Sequence, residues 1–133
     1  MEREYGIKLQ NASLLIMRLV IAAVFLFAAW AKWRFISADP TGGGQAGLIW
    51  FLIIVEPLGA LGLALGLLNR WAASGLAIIM VGAIVVTRLT YGAGFFTDQN
   101  GTGLDYNFLI LAGCLVLATF GAGRWSLDAL RKK

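Results

Sequence analysis

Histidine is absent from the 133-residue sequence, and cysteine occurs once, as Cys114. Haem, zinc and non-haem iron sites draw mainly on histidine and thiolate ligands, and iron–sulfur clusters need several cysteines. The composition therefore predicts that the chain itself holds no metal and no redox cofactor. No nucleophile with a neighbouring general base is evident either. We therefore expect no catalytic residues, and a protein that is not an enzyme on its own.

Charge is also scarce. Charged residues make up 14% of the chain and hydrophobic residues 59%, whereas soluble domains are about 25% charged. A soluble protein of this size has too little interior to bury that much apolar surface. The expected solvent, and the first expected partner, is therefore the lipid bilayer. Gly42–Gly47 matches G-x-G-x-x-G, but that motif binds dinucleotides only between a strand and a helix.

Four apolar stretches account for most of the sequence: residues 13–33, 48–68, 71–91 and 104–120. A transmembrane helix needs about 20 residues, in a range of about 17–25. The stretches lack the alternation of apolar and polar residues that barrel strands require. The sequence therefore predicts an all-α membrane protein, with residues 1–133 forming a single bundle of four transmembrane helices.

Basic residues predict the orientation of this bundle. Lysine and arginine concentrate in cytoplasmic loops, and four crossings place both termini on one side. Seven basic residues fall on the side of the termini and three on the other side. We therefore expect a multi-pass protein of the cytoplasmic membrane with both termini in the cytoplasm. The net charge of +4 then follows from topology and indicates no nucleic-acid partner.

The charges inside the predicted helices are the most informative residues. An ionisable group in lipid is costly and is expected to face the bundle interior with a partner. Glu56, followed by Pro57, lies about 12 Å from the outer end of the second helix, near the bilayer centre. Arg18 and Lys32 share one face of the first helix, and Arg88 lies near the outer end of the third. These five residues form our candidate ligand cavity.

Arg18 is the predicted partner of Glu56. Lys32 and Arg88 can extend to the membrane surface, whereas Arg18 has further to go. Pro57 removes one helical hydrogen bond, and such interrupted helices often border ligand cavities in membrane proteins. The alternative is that Glu56 only locks the second helix to the first. Both interpretations stay open at this point.

Three segments are similar to the DoxX family of small bacterial and archaeal membrane proteins. They are the first helix, LLIMRLVIAAVFLFAAWAKW (Leu14–Trp33), the segment EPLGALGLALGLLNRWAA (Glu56–Ala73) and the tail GAGRWSLDAL (Gly121–Leu130). The tail is the most specific of the three, because membrane insertion does not require it. The resemblance implies four helices in the cytoplasmic membrane. It also implies that some members are small subunits of quinone-linked oxidoreductases, and that others organise oxidative-stress enzymes at the membrane.

Two hypotheses about function follow. In the first, the protein is a membrane subunit or anchor for a redox-enzyme partner and contributes to a quinone pocket near Glu56. In the second, it is a carrier or channel for a small solute or ion that uses Glu56 and Arg18. The basic tail, residues 124–133, is a candidate docking element for a partner or for anionic lipid headgroups. A homo-oligomer is left open.

Overall fold

A computed structural model describes residues 1–131, and the predicted basic end of the tail, Lys132 and Lys133, lies outside them. The described chain is almost entirely helical. The helices are α1 (Glu2–Ala38), α2 (Ala46–Leu65), α3 (Asn69–Tyr91), α4 (Leu104–Phe120) and the short α5 (Leu127–Arg131), with a 3₁₀ turn at Gly42–Gly44. The predicted all-α class is confirmed.

Three of these helices are long and apolar enough to cross a membrane, namely α1, α2 and α3. The fourth, α4, is apolar but has 17 residues, the lower end of what about 30 Å of hydrocarbon requires. With 37 residues, α1 is about 55 Å long and extends beyond the hydrocarbon. Its exposed polar first turns project past the end of the bundle.

The core lies where the four long helices meet. α1 packs mainly along α2, and α3 packs mainly along α4. The largest fully buried apolar side chains are Phe25, Leu63, Leu76, Leu117 and Cys114. Many large apolar residues on the outer faces remain exposed, as expected of helices whose surroundings are lipid.

Three helices differ from their predicted bounds, since α1, α2 and α3 begin earlier than predicted and α1 and α2 also end elsewhere. α1 continues to Ala38, five residues beyond the predicted end at Trp33. α2 ends at Leu65, because Gly66 adopts the left-handed conformation (φ 68°) and its N–H bonds to Gly62 and Leu63 carbonyls, as in many helix C-termini. Residues 66–68 then turn the chain directly into α3.

Candidate functional site

Glu56 pairs with Lys32. The Nζ of Lys32 donates hydrogen bonds to both carboxylate oxygens of Glu56, at 3.1 and 3.3 Å. Glu56 is 3% exposed, whereas the Lys32 side chain is 30% exposed. The carboxylate is therefore enclosed by protein, while the ammonium group that neutralises it remains partly accessible.

Because of the length of α1, Lys32 and Glu56 lie at similar depths along the bundle axis. Because α1 continues to Ala38, Lys32 lies about 9 Å inside the end of the helix. α2 begins at Ala46 and runs back along α1, which places Glu56 about 15 Å from its start. The lysine side chain covers the remaining axial difference. The Lys32 side chain, which was expected to be able to extend to the membrane surface, is instead held inward by the Glu56 carboxylate.

The ion pair forms part of the wall of a cleft of about 740 Å³. Lys32 and Glu56 contribute its charged side, and the rest comes from Phe35 of α1, the loop before α2, and residues of α2 and α3. Its walls are mainly apolar, with side chains such as Phe51, Leu52 and Val86. Ligand-binding clefts are typically about 300–1,000 Å³ and mostly apolar, with a few polar groups. This cleft has both properties.

The predicted pairing of Arg18 with Glu56 is wrong. Arg18 is 1% exposed and donates from Nη1 to the Ala122 carbonyl at 3.1 Å and from Nη2 to the Trp125 carbonyl at 2.9 Å. The physical reason is axial distance: Arg18 and Lys32 are separated by 14 residues, or about 21 Å of helix. Arg18 therefore lies at the other end of the bundle, where the tail after α4 brings carbonyl oxygens to it.

The tail is held in place by further hydrogen bonds. The carboxylate of Asp128 accepts the N–H groups of Leu68 and Asn69 at 2.8 Å each, and the Asp128 N–H donates to the Gly66 carbonyl at 2.9 Å. The Asn11 amide oxygen accepts the Arg124 N–H at 2.8 Å. The sequence does not mark Asp128 or Asn11 for these roles. It does mark a turn at Gly121-Ala122-Gly123, where two glycines favour a change of chain direction, and both adopt positive φ in the structure.

The remaining two candidate site residues, Arg88 and Pro57, do not line the cleft. Arg88 donates to the Ala93 carbonyl at 2.9 Å and caps the end of α3. Pro57 lies inside α2, which continues through it to Leu65. Of the five predicted site residues, Lys32 and Glu56 come together, and Arg18, Pro57 and Arg88 take other positions. Within residues 1–131, no three His, Cys, Asp or Glu side chains cluster as metal ligands would.

The fold and this site define a class: a small multi-pass membrane protein, all helical, with one ion pair beside an apolar cleft inside the bundle. Within that class, the chain belongs to the DoxX family, whose profile matches residues 13–89. That match covers nearly all of α1–α3 and both members of the ion pair. The tail that binds Arg18 lies beyond it.

Two curated relatives extend over most of the chain. The uncharacterized membrane protein Rv3486 of Mycobacterium tuberculosis is 34% identical over 87% of this chain and 79% of its own length. The inner membrane protein YqjF of Escherichia coli is 26% identical over 95% of this chain and 97% of its own length. No solved structure matches. The relatives establish a membrane protein and name no activity.

Proposed function

We propose that this protein is a membrane subunit or anchor of a quinone-linked oxidoreductase system, in which the cleft beside Lys32 and Glu56 receives the quinone headgroup. The observation that carries the proposal is the ion pair itself, an enclosed carboxylate and a partly exposed ammonium at the wall of a largely apolar cleft. The chain supplies no catalytic residues of its own, so electrons enter and leave through a partner enzyme.

The cleft residues fit a quinone in chemistry and in size. A lysine ammonium has three N–H donors, and the two contacts to Glu56 leave at least one for a ligand carbonyl. The carboxylate can hold a proton next to that position. Apolar walls suit an uncharged ring and its hydrocarbon chain. When bound, a quinone supplies two-electron, two-proton redox chemistry in the lipid phase, and Lys32 and Glu56 orient its headgroup.

Quinone binding tests this function. Purified protein in lipid nanodiscs would be titrated with a short-chain ubiquinone analogue, and bound ligand counted by native mass spectrometry. Lys32→Gln replaces the charged donor with a shorter, neutral amide, and we expect binding to weaken about tenfold, the equivalent of one charged hydrogen bond. Glu56→Gln should weaken it by less. The matched control is Arg88→Gln, an exposed cation outside the cleft, which should bind like the native protein.

Equal binding by all four proteins, or none by the native one, would contradict the quinone site. The partner is tested separately, by extracting native membranes with mild detergent and identifying what accompanies the protein. An oxidoreductase subunit at stoichiometric level supports the proposal. The carrier hypothesis required Glu56 and Arg18 to share a site; with Arg18 bonded to the tail carbonyls, no observation favours it.

The proposal places the protein in the cytoplasmic membrane with both termini in the cytoplasm, supported by the seven-to-three bias of basic residues. Cysteine labelling in a Cys114→Ala background checks this orientation. Ser37 and Gln10 lie on the same helix, near opposite ends, and both are exposed. A cysteine at 37 should react with an impermeant reagent in intact cells, and a cysteine at 10 should react only after lysis. The reverse pattern means the reverse topology.

A further inference from the structure

A second cavity lies at the opposite end of the bundle from the ion pair, where the start of α3 faces the tail. It has a volume of about 400 Å³. Asn69, Arg70 and Trp71 line one wall, and residues 121–124 line the other. We call it the basic groove, because an arginine from each wall borders it, Arg70 and Arg124. Neither arginine takes part in the Lys32–Glu56 cleft.

The two arginines of the basic groove have no anionic partner within residues 1–131. The nearest acid is Asp128, whose carboxylate is already bonded to the N–H groups of Leu68 and Asn69 and lies 3.9 Å from Arg131. The Arg70 side chain reaches across to the tail: a Cβ built on Gly121 would lie 3.7 Å from its Nε. Asp128 also lines the groove, so its two arginines leave the groove with a net positive charge.

The helix dipole of α3 adds to this charge. The groove borders the N-terminus of the 23-residue helix α3, where the dipole favours negative charge. The Asp128 carboxylate already accepts the N–H groups of Leu68 and Asn69 there. Asn69 itself is 1% exposed and donates to the Leu117 carbonyl, so contacts with a ligand fall to the two arginines.

Tryptophan placement identifies the source of an anionic ligand. Trp71 at the groove and Trp125 beside it are 80% and 52% exposed, and exposed tryptophans in membrane proteins concentrate at the headgroup level. The groove thus lies at the depth of lipid phosphates. Basic pockets at this level of a helix bundle are suited to anionic headgroups.

We propose that the basic groove binds the headgroup of an anionic phospholipid, with Arg70 and Arg124 on the phosphate. The lipid would add a further bridge between α3 and the tail, which the hydrogen bonds of Asp128 already join. This site is independent of the proposed quinone function, because it shares no residue with the cleft and needs no redox partner.

The test is native mass spectrometry of the purified full-length chain with anionic phosphatidylglycerol against phosphatidylcholine. We expect the native protein to retain phosphatidylglycerol preferentially. Arg70→Gln with Arg124→Gln should weaken that binding about 30-fold, from the usual contribution of two cations near a membrane surface. Arg34→Gln is the matched control: Arg34 is exposed near the other membrane surface and stacks on Trp30, so its loss should change binding less than threefold.

Equal retention of the two lipids would overturn the proposal, and so would equal binding by the double variant and the native protein. Competition by millimolar inorganic phosphate alone would also overturn it, because the groove would then be a site for free anions. Both arginine side chains are exposed, so the double variant should fold. Its melting temperature without added lipid checks this, and Arg124→Gln alone, expected to lose about fivefold, provides a second variant.

Discussion

α1 carries two basic side chains on one face, and they lie toward opposite ends of the bundle with different partners. Near the C-terminal end of α1, Lys32 meets a carboxylate, remains 30% exposed and borders a cleft. Arg18, at the middle of α1 and toward the other end of the bundle, is 1% exposed and is bonded to the Ala122 and Trp125 carbonyls. The first arrangement leaves a donor for the proposed ligand. In the second, Nη1 and Nη2 hold the tail, while the buried Nε has no hydrogen-bond partner.

The comparison teaches that a charge inside a membrane helix indicates function only when its surroundings leave it accessible. Intramembrane ionisable residues are functional candidates by default. Here the guanidinium binds uncharged carbonyl oxygens that lack other partners, which ties the chain after α4 to α1. The ammonium binds an acid whose burial would be costly without it. Burial alone does not distinguish the two roles. The groups that each side chain binds do distinguish them.

The largest effect is expected at the buried arginine. Arg18→Gln removes two charge-assisted hydrogen bonds and leaves the Ala122 and Trp125 carbonyls without donors, at a cost of about 3–5 kcal/mol in the free energy of unfolding. Thermal melting in detergent measures the loss, with Arg34→Gln as the exposed control. Arg18→Lys keeps the charge but not the forked geometry, and should recover only part of the stability. A melting temperature for Arg18→Gln like that of Arg34→Gln would mean that the tail does not depend on Arg18.

A smaller and asymmetric effect is expected at the ion pair. Lys32→Gln leaves the Glu56 carboxylate, which is 3% exposed, without its cation and should cost about 2 kcal/mol. Glu56→Gln should cost less, because the half-exposed lysine can extend toward the surface. The double variant should be more stable than Lys32→Gln alone, since no orphan carboxylate remains. Comparing the thermal stabilities of the three variants with that of the native protein gives the coupling energy between Lys32 and Glu56. Additive losses would show that the two groups do not interact.

The smallest effect concerns the attachment of the tail. Asp128→Ala leaves the N–H groups of Leu68 and Asn69 without their acceptor, and capping interactions of this kind are worth about 1–2 kcal/mol. Leu68 depends on this support, because its left-handed backbone (φ 49°) is unfavourable for a residue with a Cβ. Glu4→Ala, an exposed acid on α1, is the control for lost negative charge.

Hydrogen exchange adds a local readout to this experiment. In Asp128→Ala, residues 121–131 and the start of α3 should exchange faster, while amides around Lys32 and Glu56 should keep their protection. Faster exchange at both ends of the bundle would show that the two ends are one cooperative unit. That result would remove the distinction between the charge that holds the tail and the charge at the proposed ligand site.

Much of this protein follows from its sequence. The length and apolarity of four segments predict an all-α membrane bundle, because backbone polar groups in lipid must be satisfied within each helix. The same reasoning singles out Lys32, Glu56 and Arg18, because a charge within an apolar run is costly wherever the chain places it. These inferences require only local composition, so they hold without knowing how the helices pack.

Tertiary structure alone decided which charge meets which. The partner of Glu56 depends on the relative depth of α1 and α2, and that depth depends on α1 continuing to Ala38 rather than ending near Trp33. The partners of Arg18 are backbone carbonyls, which every residue has and no sequence pattern marks. They reach it because Gly121 and Gly123 turn the chain back and Asp128 fixes the tail to the start of α3. The sequence thus determines that a buried charge must be satisfied, and the three-dimensional path of the chain determines by what.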